Sequence, residues 1–484
     1  MRLRLILFLA AFLLVSPLQA TTYYLATAAD GGSNGNNGLA PETPWLSPAH
    51  ALNCGDVIIA TASTAYAASN FSYGNWGTVT CTEGNNVAWL KCETFLGCKI
   101  TAASVNGMTI GKSYWGVQGW EVTTTGSSAL CFVVQPQSTP LVLHHIIFAN
   151  NFANGCISAG FAFASNGTAA SFDYVAVVGN IAWNTTVTTD FCNSGITLWE
   201  PLKLDSAAGT HIYVAGNFSL NNVSGTNCGA GDTTFDGNGI ILDDFGYFQT
   251  GGTPYDQQVL VENNMVLWNG GWGIGTSGDG TTEATIYFRY NTSVGNLTDV
   301  NTDFTTCGEL VLFGFPDGVS NVSATNNLVQ AGAAQACSGG VQNLYAGRVE
   351  SGDATDALED NWLYSAAGNN TLATNSTGFS FGSNVTGTDP ELTNPADPGQ
   401  PNCAGATSVP DCMTTVIANF TPEASGADAY GYQPVSGTPV YDPLFPAWLC
   451  DVDLPAGLVT MGCAEAPATQ PTFSNVMLSG VTIQ

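Results

Sequence analysis

Apolar residues in this chain recur in short alternating runs, not at helical spacing. One unit reads Val259-Leu-Val-Glu-Asn-Asn264, then Met265-Val-Leu-Trp-Asn269, then Gly270-Gly-Trp-Gly-Ile274. The same grammar returns as His144 to Phe148 with Asn150, Val175 to Val178 with Asn180, Ile212 to Ala215 with Asn217, and Ile286 to Arg289 with Asn291. It continues as Val322 to Thr325 with Asn326 and Ala357 to Asp360 with Asn361, and Tyr114 to Trp120 reads as an earlier copy. Alternation sends one set of side chains inward and the other outward. Asn and Gly at the bends tolerate the left-handed backbone of tight corners. Unit length varies from roughly 27 to 47 residues, which a propeller or helical solenoid would not tolerate and a coil of three strands per turn absorbs in outward loops. Successive turns of such a coil stack about 4.8 Å apart, so equivalent Asn side chains can form hydrogen-bonded ladders. An all-β parallel solenoid is therefore expected, in preference to a β-sandwich.

The ends read differently. Residues 21–60 contain Tyr23-Tyr-Leu-Ala-Thr27, a Gly/Asn-rich loop, Pro44-Trp45 and Cys54-Gly-Asp-Val-Ile-Ile59, and are expected to form a cap and first turn. The coil is expected over 61–386, and 387–484 is expected to be an irregular Cys/Pro-rich cap and tail, because exposed end strands would recruit other chains.

Residues 1–20 have the grammar of a cleaved export signal: Arg2 and Arg4, an apolar run from Leu5 to Val15, and Ala20 at the cut. No later stretch is long and apolar enough to cross a bilayer, so a secreted protein, extracellular, periplasmic or at the cell surface, is expected. Beyond the signal only Lys91, Lys99, Lys112, Lys203, Arg289 and Arg348 offset 37 acidic residues. A chain this acidic has no means of neutralising phosphates, which excludes nucleic acid and anionic lipid as partners. All 14 cysteines follow the signal, which fits an oxidising compartment; Cys92/Cys98, Cys403/Cys412 and Cys450/Cys463 are candidate local staples.

Tyr23-Tyr-Leu-Ala-Thr27 with Pro44-Trp45 and Gly55-Asp-Val-Ile58 resembles the N-terminal part of bacterial secreted right-handed parallel β-helix proteins. Asp236-Gly-Asn-Gly-Ile-Ile-Leu-Asp-Asp244 with Val261-Glu-Asn-Asn264 and Asn269-Gly-Gly271 resembles their central turns. The resemblance spans most of 21–386. It implies a single-stranded right-handed parallel β-helix of the pectate-lyase-like superfamily, whose members include polysaccharide lyases, glycoside hydrolases and non-catalytic surface or adhesive proteins. Fold alone does not choose among them.

Aligning the strands that open Gly-Ile places a candidate site. Gly195-Ile-Thr-Leu-Trp-Glu200 lies over Gly239-Ile-Ile-Leu-Asp-Asp244, followed by Gly273 to Gly278, so Trp199 stacks with Asp243 and Ser277, and Glu200 with Asp244. The loops that follow carry Lys203 and Asp205, and Tyr247, Phe248, Tyr255 and Asp256. Carboxylates, a lysine and aromatic rings on one side of a coil suit a saccharide cleft, with Trp199, Tyr247, Phe248 and Tyr255 as substrate-binding residues.

Two chemistries fit. A lyase needs a base, for which Lys203 and Arg289 are candidates, and a cation to neutralise the uronate carboxylate; Glu200, Asp243 and Asp244 could hold Ca²⁺, which takes oxygen ligands. A hydrolase needs one protonated and one ionised carboxyl, for which Asp243 and Asp244 with Glu200 or Asp236 could serve. The order of motifs found in polygalacturonases is not met: Asn301-Thr-Asp303 follows Asp243-Asp244, and Gly-His-Gly is absent. The expected function is thus cleavage of an extracellular, uronate-containing polysaccharide by a monomer, with glycan binding without catalysis, or a purely structural role, as alternatives. Arg289 also aligns with Glu262, an arrangement that suits an ion pair.

Overall fold

The computed structural model describes residues 20–452 except 82–86, 127, 186–192, 224–235, 248, 278–283, 299–307, 314–320, 333–335, 338–339, 342–344, 351–355, 366–371, 375–379, 424–429, 433–441 and 451. The expected export signal at 1–20 lies outside the described residues but for Ala20. Three long sheets run along the molecule, of eleven, eleven and nine strands, and neighbouring strands within them are parallel. The chain visits the three sheets in turn: Ala170–Val178 in the first, Ile181–Trp183 in the second, Ile196–Trp199 in the third, then Thr210–Ala215 in the first again. This is a right-handed parallel β-helix, the all-β class that the alternating pattern requires.

Inward positions fill one apolar core. Ile146 and Phe148 of the first sheet, Ala153 and Val266 of the second, and Phe161, Ile196, Leu198, Ile240 and Leu242 of the third all belong to it. The outward faces of the first two sheets are apolar as well. Residues Ile147, Ala176, Tyr213 and Leu260 of the first are covered by Phe445, Trp448, Leu449 and Val452. Ile181, Phe218, Met265 and Leu328 of the second are covered by Val409, Met413, Val416 and Phe420 around two short helices, Val409–Cys412 and Thr414–Asn419. The C-terminal segment therefore runs along two flanks of the coil. The third sheet bears a smaller outer cluster, Ile241, Trp272, Leu297, Val311 and Ala331, with no residue of that segment among those described.

The corner between first and second sheets is an asparagine ladder. It runs Asn151, Asn180, Asn217, Asn264, Asn291, Asn327, Asn361, Asn384, each amide Nδ2 donating to the next Oδ1. Each backbone N–H points at the same oxygen, and each Nδ2 also reaches a carbonyl of the preceding turn, as Asn180 does to Phe148 at 2.8 Å. Spacing between rungs ranges from 23 to 47 residues, so loops vary while the corner stays fixed. Two of the expected corner residues are displaced by one: Asn150 and Asn326 are not rungs but the left-handed residues before them, at φ 54° and 56°. A second ladder, Asn222, Asn269 and Asn296, closes the other end of the second sheet and ends on Glu309. It also explains the Gly-Ile openings. A Cβ on Gly195 would lie 2.2 Å from Ser219 Oγ, and one on Gly273 1.9 Å from Ser293 Oγ, beside that ladder. Cys92–Cys98 and Cys403–Cys412 are bonded as expected, and Cys54–Cys81 and Cys131–Cys156 join them. Cys463 of the third expected staple lies outside the described residues.

Candidate functional site

The register expected for the Gly-Ile strands is the one found. Trp199 pairs with Asp243, and Asp243 with Ser277. Alternation turns Ile196, Leu198, Ile240 and Leu242 into the core, which leaves Ala164, Trp199, Asp243 and Ser277 as an outward, partly exposed row on the third sheet. Trp199 and Asp243 are thus neighbours on adjacent turns, about 4.8 Å apart along the stack.

Asp243 is a perturbed carboxyl. Burial, then the charge of Asp236, push its pKa up to about 8, and a hydrogen bond with Ser277 only partly offsets this. A carboxyl in that state keeps its proton at neutral pH and can donate it.

Glu200 and Asp244 are the corner residues that follow this row. Both take the left-handed region, at φ 51° and 49°, and both are fully buried. Glu200 Oε2 accepts from Ser165 Oγ at 2.5 Å, and its Oε1 from Thr250 N–H at 3.2 Å and Thr250 Oγ1 at 2.8 Å. Asp244 Oδ2 accepts from the Gln249 N–H at 2.7 Å. Burial raises the pKa of Glu200, Ser165 and Thr250 oppose that, and its contact with Asp244 adds to it.

The structure distributes the other expected site residues elsewhere. Arg289 is not at this row: it sits on the first sheet, bound to Glu262 at 2.6 Å and to Asp442, so its charge is committed to holding the C-terminal segment. Lys203 lies in the loop after Glu200 and is ion-paired with Asp256 of the loop after Asp244. Tyr247 and Tyr255 are each 1% exposed, with hydroxyls donating to Glu200 O and Asp173 Oδ1, so neither ring face is open to a sugar. Phe248 lies outside the described residues. Of the three expected aromatics among the described residues, Trp199 alone is placed on the row and partly open. Among the described residues, no group of three or more His, Cys, Asp or Glu side chains is arranged to hold a metal ion, Glu200, Asp243 and Asp244 included. Asp243 takes its neighbours from the strand face, whereas Glu200 and Asp244 turn under the loop that covers the corner.

A second cluster was not singled out in the sequence. Tyr114, His145, Tyr174 and His211 stack along the coil with ring centroids 4.9, 4.8 and 3.9 Å apart. Trp448 meets His145 and Tyr174 edge-on. Beside them lies Asp173, fully buried and surrounded by donors. The sequence signal is an aromatic or His residue immediately before the apolar run of four successive turns: Tyr114 before Trp115, His145 before Ile146, Tyr174 before Val175 and His211 before Ile212.

No family model matches the chain, and no curated protein matches it. Among solved structures it is similar to the pectate lyase Pel9A, at 14% identity and a TM-score of 0.43, covering 88% of this chain and 92% of that one. It is also similar to the GH136 lacto-N-biosidase from Eubacterium ramulus, at 11% identity and a TM-score of 0.43, covering 75% of this chain and 68% of that one.

Proposed function

We propose that the chain is a secreted carbohydrate-active protein that cleaves a polysaccharide, by hydrolysis, at the outer row of the third sheet. The supporting observation is the pairing of Trp199 with Asp243 on adjacent turns, with the Asp243 carboxyl held protonated by burial and by Asp236. An aromatic face binds a sugar ring, and a protonated carboxyl beside it donates to the glycosidic oxygen as the bond breaks. Asp236 supplies the second carboxyl that this chemistry requires, either to attack the sugar or to activate water. Glu200 and Asp244 shape the corner behind the row. The lyase reading has less support, because Lys203 and Arg289 are both in ion pairs and Arg289 stands on another sheet.

The test is release of reducing ends from a panel of neutral and uronate-containing glycans, with ultraviolet detection of unsaturated uronates in parallel, with and without Ca²⁺. Hydrolysis predicts reducing ends without unsaturation, loss of rate on the order of 100-fold or more in Asp243→Asn, and a higher KM in Trp199→Ala. Unsaturated products that depend on Ca²⁺ would establish the lyase reading instead. Silence across the panel, with glycan binding retained, would establish a non-catalytic binder.

A further inference from the structure

Two loops follow successive strands of the third sheet at the proposed site, and both are tied to one buried carboxylate on the first sheet. The first loop, 201–209, follows Glu200. Its Leu204 N–H donates to Asp173 Oδ2 at 2.7 Å, and its Ala207 carbonyl accepts from His211 Nε2 at 3.0 Å. The second loop follows Asp244. Its Tyr255 hydroxyl donates to Asp173 Oδ1 at 2.7 Å, and Thr250 from the same loop holds Glu200. His211 Nδ1 lies 3.1 Å from both oxygens of Asp173. Both ring nitrogens of His211 therefore face acceptors, one a carboxylate and one a carbonyl. A neutral imidazole carries one N–H and would leave one of those contacts unmade. The side chains are 1% and 0% exposed, so water cannot substitute.

We infer that His211 is a buried imidazolium whose pairing with Asp173 positions both loops that flank the Trp199–Asp243 row; its catalytic consequence, though not the pair itself, rests on the hydrolase reading. Removing either charge would leave the other buried and uncompensated, the situation in which a buried pair matters most. The groups that face His211 support the assignment. Asp173 lies in the first sheet and Asp205 in the first loop, and both stabilise the cation. Tyr174 stacks on the ring at 3.9 Å with its hydroxyl on Asp205. On the other side of Tyr174, His145 is held down to a pKa of about 3 by burial and by His144, so it adds no competing charge at neutral pH. Burial works against the charge on His211, and Asp173 and the Ala207 carbonyl outweigh it, so its pKa lies above the ordinary value. The sign follows: a raised histidine pKa contributes stability that is complete below its unfolded value of 6.5 and is lost as pH rises through the folded value. The loops should loosen on the alkaline side.

The experiment uses the full chain, which has only four histidines, His50, His144, His145 and His211. Side-chain ¹⁵N spectra of the wild type are followed upward from neutral pH, and hydrogen exchange is measured in 201–209 and 249–257. The expected result is one ring with both nitrogens protonated after the other three have become neutral. Protection factors in both loops, taken relative to the intrinsic exchange rate at each pH, should fall about tenfold or more as that ring deprotonates, while the asparagine-ladder strands keep theirs. Asp173→Asn and His211→Gln should reproduce the loop exchange at neutral pH; where a glycan is cleaved, they should lower kcat with little change in KM. A singly protonated His211 at neutral pH, or loops indifferent to its titration, would overturn the inference even if a variant fails to fold. A confirmed imidazolium with coupled loops, but no cleaved glycan, would leave the inference standing and remove the hydrolase reading.

Discussion

At the scale of single residues, the ladder corner shows how two neighbouring asparagines with the same composition signal do different work. Asn327 donates to Asn361 Oδ1 and to the carbonyls of Phe288 and Thr325, and its own Oδ1 receives the N–H and Nδ2 of Asn291. Asn326 supplies the left-handed residue that lets the chain turn. The repeat of Asn was legible in the sequence, but which member of the Asn-Asn pair is the rung was not, because asparagine suits both the left-handed and the ladder position of a corner. Asn327→Ala should cost about 2–4 kcal/mol, since it orphans buried donors and carbonyls at once. Asn326→Gly should stay within about 0.5 kcal/mol, as glycine adopts the same φ; urea unfolding of both variants checks the contrast. Glu309 makes a second residue-scale case. It ends the other ladder by accepting from Asn296 N–H at 2.9 Å, Asn296 Nδ2 at 2.5 Å and Ser293 Oγ at 3.1 Å. Burial nonetheless pushes its pKa up to about 7, against the opposing pull of those donors. A carboxyl raised in the folded state holds a proton that the unfolded chain has already lost, so stability is highest below the ordinary value of 4.5 and declines as pH rises to about 7. Asp243, raised to about 8, adds to the decline in the same direction. Unfolding free energies should fall steadily from pH 5 to pH 8, by about 2–3 kcal/mol from Glu309 alone at about 1.36 kcal/mol per pH unit, with Asp243 adding to the fall, and Glu309→Gln should reduce the slope below pH 7.

At the scale of elements, the alternating pattern identified strands on the coil but could not say what covered them. The strand Ala170–Val178 is buried at every position, and its run Val175–Val178 has both faces apolar. Such a run reads the same whether its second face meets another sheet, a helix or a tail. The answer lies in the Pro- and Cys-rich segment whose own pattern carried no periodicity. Its anchor on the first sheet is Trp448, which packs against Tyr174 and His145, assisted by Phe445 on Tyr213 and by Asp442 on Arg289. This placement also bears on Arg289: the ion pair with Glu262 legible from register is completed by a residue of the tail, more than a hundred residues away. The loop aromatics Tyr247 and Tyr255 show a related limit of the sequence. Loop composition shows that rings are present, but only the fold-back of the loop onto Glu200 and Asp173 shows that they are inside. Trp448→Ala should destabilise the chain by about 3–5 kcal/mol through the lost burial. Hydrogen exchange should then rise selectively in Ala170–Val178 and Thr210–Ala215, while the third-sheet strands keep their protection.

At the scale of the whole molecule, the arrangement separates stability from chemistry. Two outer faces of the coil are closed by the chain itself, and the ladders fix corners while the loops vary freely in length, so the third sheet and its following loops can carry a site without disturbing the stack. The 37 acidic residues then act on that site as a field. Six basic residues outside the expected signal cannot offset it locally, and Lys203, closest in sequence to the row, already neutralises Asp256. An anionic glycan approaching the Trp199–Asp243 row must therefore work against a like-signed potential, whereas a neutral glycan does not. Salt screens such repulsion over roughly 8–10 Å at moderate ionic strength. For substrates of matched length, raising salt from about 0.02 to 0.2 M should lower KM severalfold for a uronate-containing oligosaccharide and leave KM for a neutral one unchanged, with kcat steady in both. Equal salt responses for the two substrates would mean that the field of the molecule does not reach the bound sugar. The acidity would then belong to solubility alone, and the choice of glycan would rest on the contacts of the row itself.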